Sequence, residues 1–376
     1  MYSVSDRFLE AVRQSGHRKT VVDVYHGRST EPLLSDLPVI DCQIKVDRNS
    51  NTRRSGSITI GDPTLFSLVE PWGLELVIKT GPEFPDREEL VPMGVFVIDT
   101  DSFRITEGSF PKVEIFDRTQ RVTDVTVNLL ADDTQFAGES VRAIVSRAID
   151  GAAPGYPNAA KWTTSFDPTL PFPQLPGGFD PGTDRWALAK KAAELLGADV
   201  YFDVNGDPQC RKAPTFDRSI TQSQSVWDIR YGQNLIDLEK TVTRANVFNG
   251  VLVRGGQKNN DSPEKTRPFA LAVDNDPRSR TYWNGPFGKK TRDVSNEGIT
   301  DSAQAYALAV AELQKSLLLV NQFKITCLAN PALDAGDIIS LYETASQTTP
   351  TLCIVDGFSF NSTYANFEID ARALDA

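Results

Sequence analysis

TDSAQAYALAVAELQKSLLLVNQFKITCLANPALDAGDIISLY, residues 300–342, reads as helix, strand, turn and strand. Asp301 stands where a helix N-cap accepts backbone N–H groups, and Gln304 completes a capping-box pattern three residues on. Tyr306, Val310, Leu313 and Leu317 recur at helical spacing, which predicts one apolar face. Phe323, Ile325 and Cys327 then alternate with Lys324 and Thr326, the period of a half-buried strand. Asn330 to Asp337 is a turn in which Pro331 fixes one corner and Gly336 supplies backbone freedom at the other. Residues 338–342 form a second strand. The expectation is a helix packed across a β-barrel corner, with no catalytic constellation in it.

Upstream, residues 4–14 make a short helix with Phe8, Leu9 and Val12 on its apolar side. Residues 20–26 are a strand. In residues 39–47, Ile40, Cys42, Ile44 and Val46 alternate with Asp41, Gln43, Lys45 and Asp47, which predicts a half-buried antiparallel strand. Residues 55–60, 74–79, 94–99 and 113–116 continue the pattern, and strands this short, spaced by turn residues, predict a barrel or sandwich over residues 1–130.

Residues 131–235 read as a smaller α+β domain. Residues 132–149 hold a helix with Val141, Ile144, Val145 and Ala148 on one face. Residues 184–196 hold another, ended by Gly197. Strands 199–203 and 208–212 flank Asn205-Gly206, a strong hairpin signal. Between the helices lies a Pro/Gly-rich arm, residues 152–182, carrying Trp162, Phe166, Phe172 and Phe179. So many breakers exclude a regular element, and an arm of this length covers either its own domain or a neighbour.

Residues 236–376 read as a second β-rich domain. It opens on one long strand, 236–255, continues through a polar loop, 256–299, and the helix 301–318, and closes on a hairpin of residues 353–357 and 366–374. The fold class is therefore α+β and β-rich, with two β-barrel-like domains bracketing a smaller α+β domain.

Composition narrows the function. The 376 residues are 40% hydrophobic and 24% charged, which is globular. The net charge of −11 disfavours sequence-specific nucleic-acid binding and suits a surface that DNA must pass without sticking. No apolar run is long enough to cross a bilayer, and the N-terminal residues lack a secretory signal's apolar core, so a chain soluble when made is expected. Cys42, Cys210, Cys327 and Cys353 are scattered, as core thiols are, and give no metal or disulfide spacing.

Tests for chemistry return little. The two histidines, His17 and His26, stand near the N-terminus, and no Gly-x-Ser-x-Gly elbow occurs. Residues 285–291, GPFGKKT, miss P-loop spacing. Asp203-Val204-Asn205-Gly206-Asp207 misplaces the glycine of a calcium loop. Asp99 and Asp101 share a strand face without further support as a catalytic pair. Arg53-Arg54 and Lys289-Lys290 read as solvated corners. No catalytic residue, cofactor or metal site is expected.

Three stretches together resemble one family. LPVIDCQIKVDRNSNTRRSGSITIGDP (residues 37–63), VDNDPRSRTYWNGPFGKKT (273–291) and the helix with its Pro-x-Leu-x-x-Gly-Asp turn (303–337) resemble the minor tail proteins of long-tailed phages of actinobacteria. Those proteins are similar to the tail and baseplate hubs of tailed phages. The resemblance implies a structural, non-enzymatic homotrimer in the virion, at the distal end of the tail. It implies that the two β-domains of each copy form a pseudo-sixfold ring through which the genome leaves. It implies assembly in the host cytoplasm and contacts with a tail tube or distal tail protein, the tape measure protein and other tail-tip or receptor-binding proteins. Trp162, Phe166, Phe172, Phe179, Tyr282 and Trp283 are the candidate interface residues, since aromatics dominate such contacts. Two alternatives stand beside this: a tail-tip cell-wall hydrolase, and a carbohydrate-binding adhesion module using Trp162, Phe166, Phe172 and Tyr282-Trp283 as a sugar platform.

Overall fold

Strand alternation fixes which side chains turn inward, and the pairing of those strands builds one twelve-stranded sheet whose two six-stranded arrays share one core. The computed structural model describes residues 1–376 except 15, 27–28, 30, 69–72, 100–109, 125–137, 153–161, 172–173, 175–183, 214–219, 257–266, 297–298, 300, 318, 364–365 and 375–376.

In chain order, helix α1 (Asp6–Ala11) precedes six strands: β1 (Arg18–His26), β2 (Val39–Asp47), β3 (Arg54–Ile60), β4 (Leu74–Pro82), β5 (Val91–Ile98) and β6 (Lys112–Asp117). A middle unit follows, made of α2 (Thr119–Asp124), α3 (Val141–Asp150), β7 (Ser165–Phe166), α4 (Arg185–Glu194), β8 (Ala198–Phe202) and β9 (Pro208–Lys212). Strands β10 (Trp227–Arg230) and β11 (Leu235–Val242) come next. Then come β12 (Gly250–Gly255), β13 (Phe269–Val273), β14 (Thr291–Asn296) and α5 (Ser302–Leu317). The chain closes on β15 (Asn321–Leu328), β16 (Ile338–Tyr342), β17 (Thr351–Asn361) and β18 (Asn366–Ala373).

The first array runs β1-β4-β5-β6-β3-β2, and the second runs β10-β16-β17-β18-β15-β11. Numbered by chain order within each array, both have the order first, fourth, fifth, sixth, third, second. Every neighbouring pair is antiparallel in both, except that β1 and β4 are antiparallel where β10 and β16 are parallel. In the first array the approach to β2 returns to β1: Leu37 N–H donates to Val22 O at 2.8 Å and Leu33 N–H to Val24 O at 2.7 Å. In the second, Tyr231 bridges to Leu235, so β11 starts beside the end of β10. The arrays join where residues 43–47 of β2 pair with 357–361 of β17. One continuous apolar core, from Val22, Ile58 and Ile115 to Ile325, Phe360 and Ile369, runs through both.

The correspondence reaches individual residues. On β2 and β3, Val39 faces Ile60, Asp41 faces Thr59 and Cys42 faces Ile58. On β11 and β15, Leu235 faces Cys327, Asp237 faces Thr326 and Leu238 faces Ile325. In each array the register shifts at the second residue of the second strand, leaving Ile40 and Ile236 unpaired. Both isoleucines are exposed, 52% and 59%. Ile40 was expected to point inward with Cys42; the bulge turns it out.

Other expectations are corrected here. Residues 236–255 are not one strand: β11 ends at Val242, and β12 pairs in a separate three-stranded sheet, β13-β12-β14. The expected loop 256–299 contains β13 and β14. The helix α5 is capped as expected, with Gln304 N–H bonding Asp301 Oδ1 at 2.8 Å. It packs, however, on β12 and β13 and not across a barrel corner. Its buried line is Ala305, Ala309, Leu313 and Leu317, whereas Tyr306 is 55% exposed. Small alanines let the helix lie close to the sheet, and that selects the face. β10 precedes the boundary expected at residue 236, yet it pairs with β16. The helix expected over 132–149 is observed as Val141–Asp150, with its buried face on Val141, Ile144, Val145 and Ala148; residues 125–137 lie outside the described residues. The hairpin of β8 and β9 turns at Gly206, whose φ is +71°.

Candidate functional site

A buried polar cluster lies where the two arrays meet the middle unit. It grows from the turn between β2 and β3, residues 48–53, and from Arg54. Expected as a solvated corner, Arg54 is 1% exposed. Its Nη2 donates to Asp334 Oδ1 at 2.7 Å and its Nη1 to the Phe202 carbonyl at 3.0 Å. Its own backbone N–H donates to Asp117 Oδ2 at 2.8 Å. A single side chain thus ties β3 to the end of β8 and to the turn before β16. Asp334 also accepts the Tyr2 hydroxyl at 2.8 Å and the Ala335 N–H at 2.8 Å. Burial alone would raise the Asp334 carboxyl; Arg54, Arg53 and those hydrogen bonds outweigh it and hold the group below the usual carboxylate range. Asp117 goes the other way, because burial outweighs its hydrogen bonds. Arg53 donates to the Ala335 carbonyl and stacks its guanidinium 4.0 Å over Tyr201. The Arg-Arg-Ser of the first quoted motif therefore meets the Pro-x-Leu-x-x-Gly-Asp turn of the third.

The same turn holds the middle unit. Arg48 pairs with Asp199 at 2.9 Å, and Trp186 Nε1 donates to the Asn51 carbonyl at 3.1 Å. Nearby, Arg118 grips Glu75 with two bonds of 2.9 and 2.6 Å and donates to the Gly206 carbonyl. Arg118 and Glu75 are 3% and 1% exposed. Paired buried charges of this kind fix relative orientation, since breaking either partner leaves an uncompensated charge in a low dielectric.

The expected interface aromatics scatter. Trp162 is 2% exposed, edge-on to Phe202 at 5.2 Å between centroids, in the core of the middle unit. It has no surface to offer a neighbour or a sugar, and with Phe166 and Leu170 it packs on its own domain. Phe166 is half-buried on β7 against the same core. Phe172 and Phe179 lie outside the described residues. Tyr282 and Trp283 belong to another unit, in the loop before β14. Trp283 lies so close to Gly250 that a Cβ there would come within 2.6 Å of its ring. Asn249 organises this loop, donating to the Thr281 and Gly288 carbonyls at 2.9 and 2.8 Å and accepting from Lys290 N–H at 2.8 Å. Among the described residues, Trp162 and Phe166 lie with the middle unit, and Tyr282 and Trp283 lie in the loop before β14.

Chemistry finds little footing. All four cysteines are buried. Burial pushes the thiols of Cys42 and Cys327 up to about 12 and that of Cys210 up to about 11. Both histidines are exposed. Asp101, half of the candidate acid pair, lies outside the described residues. Among the described residues no group of three or more His, Cys, Asp or Glu could hold a metal ion. A cleft of about 340 Å³ between the middle unit, the β2–β3 turn and α5 is lined by ion pairs, Arg48 with Asp199 and Arg292 and Lys315 with Glu312.

The fold is that of phage tail proteins. No protein-family model matches the sequence, and no curated protein does. Among solved structures, the chain is similar to the tail protein from Neisseria meningitidis MC58, with a TM-score of 0.62 at 14% identity over 94% of this chain and 96% of that one. It is similar also to the 43 kDa tail protein of prophage MuSo2 from Shewanella oneidensis, with a TM-score of 0.58 at 11% identity over 94% and 97%. The prophage tail protein gp18 from Listeria monocytogenes EGD-e gives 0.56 at 12% identity over 94% of each chain.

Proposed function

We propose that this chain is a structural hub at the distal end of a phage tail, three copies of which close a pseudo-sixfold ring around an open bore. The observation that carries this reading is the repeated strand order of the two arrays. One chain holds two six-stranded arrays that match in order and, on their second and third strands, in register. Three copies would therefore supply six near-equivalent positions. A threefold object so built can mate with a sixfold tube without changing its own symmetry. The junction ion pairs support the same reading, because they hold the arrays at a fixed mutual angle.

The partners follow from that role. They are two further copies, a tail tube or distal tail protein on one side, other tail-tip or receptor-binding proteins on the other, and the tape measure protein. The net charge of −11 would keep DNA from adhering to the bore as it leaves. The role is architectural, with no reaction assigned to it.

Electron cryomicroscopy of intact tails tests the proposal. A ring of three copies presenting six arrays around an open channel is expected. A single copy per tail, or arrays stacked so that the channel is blocked, overturns it. Incubating the purified protein with host cell walls adds a second check, since cleared wall material would mean a hydrolase instead.

A further inference from the structure

The two arrays match in order and register, yet one matched pair of strands differs in exposure. On β2, Ile44 and Val46 are each 1% exposed. Counting from the shared bulge, their counterparts on β11 are Lys240 and Val242. Lys240 is exposed, and Val242 is 62% exposed. The sequences do not account for the Val46 and Val242 contrast, since both are valine. The difference lies in the second edge of each strand. The second edge of β2 is covered within the chain by residues 357–361 of β17, from the other array. The second edge of β11 is open beyond Leu235 among the described residues, where β15 is its only ladder partner.

The open edge can be specified by atom. Thr243 N–H donates to Val320 O at 3.1 Å, toward β15. Successive strand residues point their N–H and C=O to opposite sides, so Thr241 and Glu239 also face β15, and Lys240 and Val242 face outward. These free groups are a ready template for another strand.

We infer that the open edge of β11, at Lys240 and Val242, is where a second copy of this chain docks, its first array taking the place that the second array takes on β2. The established junction of the arrays within one chain is the pattern for the contact between chains. This inference rests on the hub reading, which requires that array follow array around a ring. The edge carries Glu239, Lys240 and Thr241 beside Val242, a charged edge that discourages indiscriminate pairing and leaves a small apolar contact for the right partner.

Two variants and one measurement test it. Val242→Pro removes an outward N–H without removing a bond to β15, and Val242→Lys places a charge at an already exposed site. The wild-type protein, alone or co-purified with its tail partners, should contain three copies by native mass spectrometry. The Lys240 and Val242 amides should exchange at least about tenfold more slowly in that assembly than in the dilute monomer. Both variants should unfold at the wild-type denaturant midpoint and remain monomeric. If the variants still assemble and these amides stay unprotected, the edge is not the contact, although the hub reading survives. If the wild-type remains monomeric even with its tail partners, the hub reading fails and the inference with it.

Discussion

At the scale of the residue, Arg54 and Asp334 carry more than their positions announce. A guanidinium that is 1% exposed needs its carboxylate, so Asp334→Asn should cost about 3 kcal/mol, read as a lower urea midpoint. The sign of the pH dependence follows from the depressed Asp334 carboxyl. A folded-state value below the unfolded one contributes stability that is present above the unfolded pKa, near 4, and is lost as pH falls through the folded value. Wild-type stability should therefore decline on acidification below about pH 4, less its opposing contribution from Asp117, whose raised carboxyl favours the folded state when protonated. Urea titrations from pH 2 to 7 should show a shallower acid limb in Asp334→Asn; equal slopes would contradict the assignment. Trp162 offers a second test. As a core residue it should cost about 3–5 kcal/mol when truncated to alanine, in the isolated monomer and without reference to any partner. A monomer of unchanged stability would return it to the surface role expected from sequence.

At the scale of the element, the junction strand is limited by backbone approach. Gly357 pairs with Asp47, and a Cβ there would come within 2.3 Å of the Val46 carbonyl oxygen. Gly357→Ala should destabilise by about 1–3 kcal/mol, by forcing β17 away from β2. Calorimetry would read this as a lower Tm, and an unchanged Tm would mean that the strands separate at no cost. Elements were legible from the sequence wherever one face is buried and the other wet. That holds for β2 from Cys42 to Val46, for β15, for α3 and for the Asn-Gly hairpin of β8 and β9. They were illegible where tertiary context decides. Tyr306 has the helical spacing of a core face yet is exposed, and Val310 is only half-buried at the margin of the cluster; the sheet beneath α5 accepts Ala305 and Ala309 at its centre. Arg53-Arg54 is a charged pair whose burial depends on Asp334, far along the chain.

At the scale of the whole molecule, the repeat that matters could not be read from the sequence. Its surviving identities on the second and third strands are short, among them Ile-Asp at 40–41 and 236–237, Val at 46 and 242, and Ile-Thr at 58–59 and 325–326. Its spacing is also broken: β2 and β3 are joined by a short turn, whereas residues 243–320 stand between β11 and β15. That segment carries the β12–β14 sheet and α5, which have their own apolar cluster, separate from the core of the arrays. It thus behaves as an insertion into the second array and not as the centre of the fold, although its helix is the most conspicuous pattern in the chain. The register allows a direct test. Val242 faces Asn321, and Thr243 donates to Val320, so the two ends of the insertion are already cross-strand neighbours. Replacing residues 244–319 by Asn-Gly should close a two-residue hairpin between β11 and β15, which would then be joined directly, as β2 and β3 are through residues 48–52. The shortened chain should keep its strand signal in far-ultraviolet circular dichroism and unfold in one cooperative transition, while an aggregated or molten product would mean that the inserted sheet and α5 are needed to hold the second array together.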